Sequence, residues 1–196
     1  MKTVQYTFLI ALSFLLTNCD TNDNGFYNNV FAEIPNLVSV ETQPNYSVGD
    51  NLYITADFSR YLNETGQTEP LDIYKTTGNA PEFVFSYVIE KQISASVWEV
   101  VFVDDSQLDI IKGDAQNGAY VYGHCIYNTT DETYEYNVGF PLLAAGQYRL
   151  SFGYNSSSVN QVELRSQSPA SKLILNINSI VADVDAGGYY NFTVIN

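Results

Sequence analysis

Cysteine, histidine and positive charge are all scarce in this chain of 196 residues, and each shortage bears on a class of function. The two cysteines, Cys19 and Cys125, are too few for a thiolate zinc cluster. Eight Lys and Arg face 22 Asp and Glu, a formal charge of −14. Binding a phosphate backbone draws on Lys and Arg that displace counterions, so nucleic acid is excluded as a partner. Anionic lipid surfaces are disfavoured for the same reason, while an acidic surface by itself serves solubility. The one histidine, His124, would need a nucleophile and an orienting carboxylate to act as a base. Its neighbour Cys125 would point to the opposite face of a strand, so His124 reads as a structural histidine. No carboxylate stands in a context that marks it as buried and tuned, and no catalytic residue or cofactor is assigned. The expectation is a chain that is not an enzyme. There is also no sustained helical stripe, no internal repeat, and no apolar run near the roughly 20 residues that a membrane-spanning helix requires.

What is present begins at the N-terminus. Lys2 and the apolar run from Phe8 to Leu16 match a secretory leader. The run ends in Leu16-Thr17-Asn18-Cys19, which resembles a lipobox, although Asn18 departs from the usual small residue. The resemblance implies that Cys19 is alkylated by diacylglycerol and becomes the first residue of the mature protein. Polar and acidic residues follow at once, Asp20-Thr21-Asn22-Asp23-Asn24, in the manner of surface lipoproteins of the Bacteroidota type. That resemblance implies an outer-membrane, lipid-anchored location, possible surface exposure, and membrane contact through the Cys19 lipid alone. It leaves fold, ligand and oligomeric state open. Processing would remove Lys2 and make the chain more acidic by one charge. It would also leave Cys125 as the sole thiol, with no disulfide partner.

The expected organisation is a signal peptide over 1–18, a lipidated tether over 19–36 and a single domain over 37–196. The tether shows neither period 2 nor period 3.6 and could reach about 50 Å if extended. Hydrophobic residues make up 45% of the chain and aromatics 14%, a globular composition. Beyond the tether, apolar and polar residues alternate strictly. Leu52, Ile54, Ala56 and Phe58 alternate with polar neighbours, as do Tyr148, Leu150 and Phe152, and Leu173, Leu175 and Ile177. These are half-buried strands. Further strands are expected over 37–42, 71–75, 82–91, 97–103, 119–128, 133–140 and 189–195, separated by Gly/Asn/Asp turns. Regularly spaced strands of this kind predict an all-β fold, an antiparallel β-sandwich of about ten strands. Gly146-Gln147-Tyr148 resembles the tyrosine corner of immunoglobulin-like sandwiches. Tyr46-x-x-Gly49-Asp50-x-Leu52 resembles the turn entering an early core strand of that class. A jelly-roll variant stays open.

Four stretches could carry chemistry. Asp183-x-Asp185-x-Gly187-Gly188 starts like a calcium loop but fails at its fifth and twelfth positions, and a hairpin turn is expected. Asp104, Asp105, Asp109 and Asp114 form an acidic cluster with room for an unspecific surface cation, so no metal site is assigned. In 97–103, Glu99 should face water, which turns Trp98, Val100 and Phe102 inward. The fourth is the hairpin over 119–140. A connecting loop of two or four residues pairs Asn128 with Thr133, and the register follows by counting back. Gly123 and Cys125 then face inward, and Tyr120, Tyr122 and His124 face outward beside Glu135 and Asn137. An odd loop would reverse this. Aromatic rings beside polar side chains suit stacking on apolar sugar faces or anchoring a protein. The candidate ligand residues are Tyr120, Tyr122, His124, Glu135 and Asn137, and the expected role is a non-catalytic binding module for a glycan or an envelope protein. A structural or adhesive part of an envelope assembly is the alternative, and a glycan-active enzyme the third.

Overall fold

The alternating stretches become strands, and their pairing sets which face each side chain takes. The computed structural model describes residues 28–64, 66–153, 156, 158–169 and 171–196. In order these carry β1 (Asn28–Glu33), β2 (Ser39–Val40), β3 (Tyr46–Ser47), β4 (Asn51–Ser59), β5 (Tyr61–Leu62) and β6 (Leu71–Asp72). One helical turn, α1 (Ile73–Thr76), follows. Next come β7 (Glu82–Ser94), β8 (Val97–Val100), β9 (Asp109–Lys112), β10 (Asp114–Asn117) and β11 (Val121–Asn128). The chain closes with β12 (Thr133–Pro141), β13 (Gly146–Ser151), β14 (Gln161–Gln167), β15 (Leu173–Ile180) and β16 (Tyr189–Ile195). The strand count exceeds the expected ten because several segments are only two residues long.

The fold is an all-β sandwich. One sheet runs β1-β15-β14-β7-β11-β12-β4-β2. The second is built on the far half of β7, which pairs with β13 and β8, while β13 pairs with β16 and β16 with β3. Pairing is antiparallel except for the edge pairs β1–β15 and β3–β16. The inner faces share one core, with Leu52, Ile54, Phe83, Tyr87, Tyr136, Leu150 and Phe152 all buried. The tyrosine corner is formed, as Tyr148 Oη donates to the Ala144 carbonyl at 2.6 Å. The turn before β4 is closed by the Ser47 amide donating to Asp50 Oδ2 at 2.7 Å, with Gly49 at φ +98°.

Several expectations are corrected. The tether was expected to run to residue 36, but Asn28–Glu33 is a strand paired with β15, and Ala32 and Ile34 are buried. An edge strand with one inward face shows too little periodicity to stand out in an Asn-rich run. Cys19 and the leader lie outside the described residues. The strand expected over 71–75 stops at Asp72, which caps α1 by accepting from the Lys75 amide. Trp98, Val100 and Phe102 do not face the core. Val101 packs on it, Val103 is buried, and Phe102 is 66% exposed. Glu99 misled because β8 is an edge strand, where both faces meet water. The turn at 183–188 is not a hairpin, since β15 lies in one sheet and β16 in the other. Asp185 closes it, accepting from the amides of Gly187 and Tyr189.

The hairpin register is as counted, with Asn128 opposite Thr133, Tyr127 opposite Tyr134 and Ile126 opposite Glu135. Beyond these three pairs β11 and β12 part. The gap is filled by β10 on β11 and β9 on β12. The apex of this wedge is Gly113, at φ +76°, driven so far in that a Cβ there would lie 2.5 Å from the His124 carbonyl oxygen and 2.9 Å from that of Glu135. Only glycine fits.

Candidate functional site

The outward face of the first sheet is polar where β14, β7 and β11 lie side by side. Counting across at Val84 gives His124 on one side and Arg165 on the other. At strand spacing their Cα atoms are roughly 10 Å apart. One row along, Tyr122 stands opposite Ser86, and in the other direction Glu82 stands opposite Gln167. Val84 and Ser86 point outward yet are buried, because taller neighbours on both flanking strands close over them. They are the floor of a trough.

Two adjoining clefts make up that trough. One, of about 300 Å³, has Tyr122, Glu163, Arg165 and Gln167 as walls. The other, of about 430 Å³, extends from Arg165 and Gln167 past Glu82 to Pro81, Ser168 and Pro169. Both reach the size range of small-ligand sites, about 300 Å³ and upward. Burial pushes the Tyr122 phenol up, with Glu82 adding to the rise and Arg165 and Gln167 opposing it. Burial likewise raises the Glu163 carboxyl, and Arg165 offsets part of this.

His124 sets the edge of the trough. Its Nδ1 lies 2.9 Å from Glu82 Oε2, and since a carboxylate only accepts, Nδ1 carries the proton. Its Nε2 is buried without a hydrogen-bond partner. The ring meets Tyr122 edge to face at 4.9 Å, and Tyr122 meets Tyr120 at 6.4 Å. Tyr120, Tyr122 and His124 are therefore a continuous row, as the register required. Glu135 and Asn137 are not part of it. The wedge puts Asp114 beside His124 and Lys112 beside Asn137. Glu135 is instead engaged by Lys112, Asn128 and Thr133, which together hold its carboxyl below the usual range against the opposing effect of burial. Cys125 faces the core, fully buried, and burial pushes its thiol up.

The residues that complete the trough, Glu163, Arg165 and Gln167, stand on β14, a strand the sequence reading missed. Its signal was Val162-x-Leu164-x-Ser166, two apolar residues and a serine that faces inward and accepts from the Leu175 amide. The acidic residues around Asp104 are already engaged. Asp104 caps a short 3-10 turn, Asp105 accepts from the Asn117 amide, and Asp109 accepts from the Tyr53 hydroxyl. No group of three or more His, Cys, Asp or Glu is placed to hold a metal among the described residues. A wider cleft of about 680 Å³ lies by Thr42–Tyr46 and Tyr190. There Asp183 is occupied by the Val40 amide and the Tyr46 hydroxyl by the Glu41 carbonyl. On the outside of the second sheet the Arg149 guanidinium is sandwiched between Trp98 and Tyr189, 4.4 and 4.3 Å from their centroids, and paired with Glu90. That stack fills itself.

No family model, no curated protein and no solved structure matches this chain. The class that fold and site define is an all-β sandwich with an open polar trough on one face. Among the described residues no helix is long and apolar enough to cross a membrane.

Proposed function

We propose that the protein is an outer-membrane lipoprotein, anchored through Cys19, whose sandwich is a non-catalytic binding module for glycan. The observation that carries the ligand half is the trough itself. It offers Tyr122 as a ring to stack on, beside Glu163, Arg165 and Gln167, which can exchange hydrogen bonds with sugar hydroxyls. Its floor lies mid-strand, with Val84 paired to His124 and Arg165 and Ser86 paired to Tyr122. The non-catalytic reading is supported by His124, whose Nε2, the nitrogen that would act as a base, is buried, and by Cys125, which faces the core on the other side of the sheet.

The test is a glycan array probed with the protein and with Tyr122→Ala. Binding by the parent and its loss in the variant, with an unchanged melting temperature, supports the module. Turnover of a bound glycan would replace it with an enzyme. A second reading, an envelope-protein partner, is favoured by β8. Its outer edge is unpaired among the described residues, and Val97, Val100 and Phe102 are exposed along it. Such an edge accepts an added strand. Co-purification of envelope proteins that is lost on substituting Val100 with proline would support that role.

A further inference from the structure

The geometry points to an acidic saccharide as the ligand of this trough, its carboxylate held by Arg165 and its neighbouring ring laid against Tyr122. The inference rests on the glycan reading and narrows it.

Cations are few, and most are already satisfied. Arg60 is paired with Asp72 and Glu132, Lys112 with Asp57 and Glu135, and Arg149 with Glu90. Lys91 lies over the Tyr148 ring. Among the described residues Arg165 enters no ion pair, yet it walls both clefts. A guanidinium presents a planar fork that matches a carboxylate in two parallel hydrogen bonds. A neutral sugar would lack that charge-assisted contact.

The two clefts also differ in polarity. On the Pro81 side the one carboxylate, Glu82, is held by His124, and the Ser168 hydroxyl is given to the Gly78 carbonyl, which leaves Arg165 and Gln167 to meet an anion. On the Tyr122 side the charged acceptor is Glu163, suited to sugar hydroxyls. The cleft whose own carboxylate is already held therefore takes the ligand's carboxylate, and the other takes the ring and its hydroxyls. The chain's acidity does not forbid this. At 0.1 M salt, charges more than about 10 Å away are largely screened, so the contacting guanidinium decides.

The test uses the full-length protein in detergent and a panel of carboxylated oligosaccharides, each matched with its carboxyl-reduced counterpart. Binding should favour the carboxylated members and fall about tenfold to a hundredfold on reduction, the scale of a charge-assisted contact. Arg165→Gln should abolish the difference between the two forms, while Tyr122→Ala should weaken both. Arg165 is on the surface, and an unchanged melting temperature shows that the variant is folded. Equal affinity for both members of every pair overturns the acidic ligand and leaves the glycan module standing. Binding of no saccharide overturns both.

Discussion

The hydroxyls of Tyr87 and Tyr136 lie 3.0 Å apart with both side chains buried in the core. They reach toward each other from β7 and β12, beneath the place where the wedge separates β11 from β12. Burial drives both phenols above their ordinary range, while the bond between them opposes the rise at Tyr87 and adds to it at Tyr136. Tyr136→Phe strands the Tyr87 hydroxyl in the core and should cost about 1–3 kcal/mol. The double change to Phe should cost less than the two single changes added together. Chemical denaturation of the three variants gives the coupling directly.

Gly113 is the second test. A side chain there meets two backbone carbonyls and must also hold a left-handed conformation. Gly113→Ala should destabilise the fold by about 2–4 kcal/mol. The same change at Gly66, also left-handed but with open space around it, should cost only the conformational part, about 1 kcal/mol. Equal losses at the two positions would show that the wedge is not driven between β11 and β12.

Glu163 links the trough to pH. Its folded carboxyl titrates above the ordinary value, chiefly because it is buried. The stability that its protonated form gives is present below the unfolded value, about 4.3. That stability is lost as pH rises through the folded value. Glu163→Gln should therefore melt higher than the parent at neutral pH and converge with it below about pH 4. Melting curves across that range check the sign.

Cys19 is tested by fractionation. Cys19→Ala should abolish labelling by a fatty-acid analogue and release the protein from the membrane fraction. A protein that still sediments with membranes would owe its attachment to the domain, and the lipid anchor would fall.

How much of this could be read in the sequence depended on what each residue reports. Leu52 to Phe58 stood out because β4 is buried on one side only, so its alternation is clean. The 119–140 hairpin was legible because a four-residue loop fixes register by counting. Its neighbours were not, since the wedge that replaces Asn137 with Asp114 beside His124 comes from Lys112-Gly113-Asp114, which reads as an ordinary turn. Trp98 was misplaced because an edge strand obeys no inside–outside rule. Arg165 was invisible as a site residue because its partner across the sheet on β7, Val84, lies some 80 positions away, and no local pattern encodes that pairing.

One strand has a wider consequence. Along its 13 residues β7 bonds to β11 and β14 in one sheet and to β13 and β8 in the other. Neither sheet can open far without tearing bonds from the strand that the other depends on. The sandwich should thus unfold as a single cooperative unit, with no stable half-molecule. In native-state hydrogen exchange the amides of 83–90 should be the slowest in the protein, opening only with global unfolding. Those of β1 and β8, each bonded on one side among the described residues, should exchange through local fraying long before.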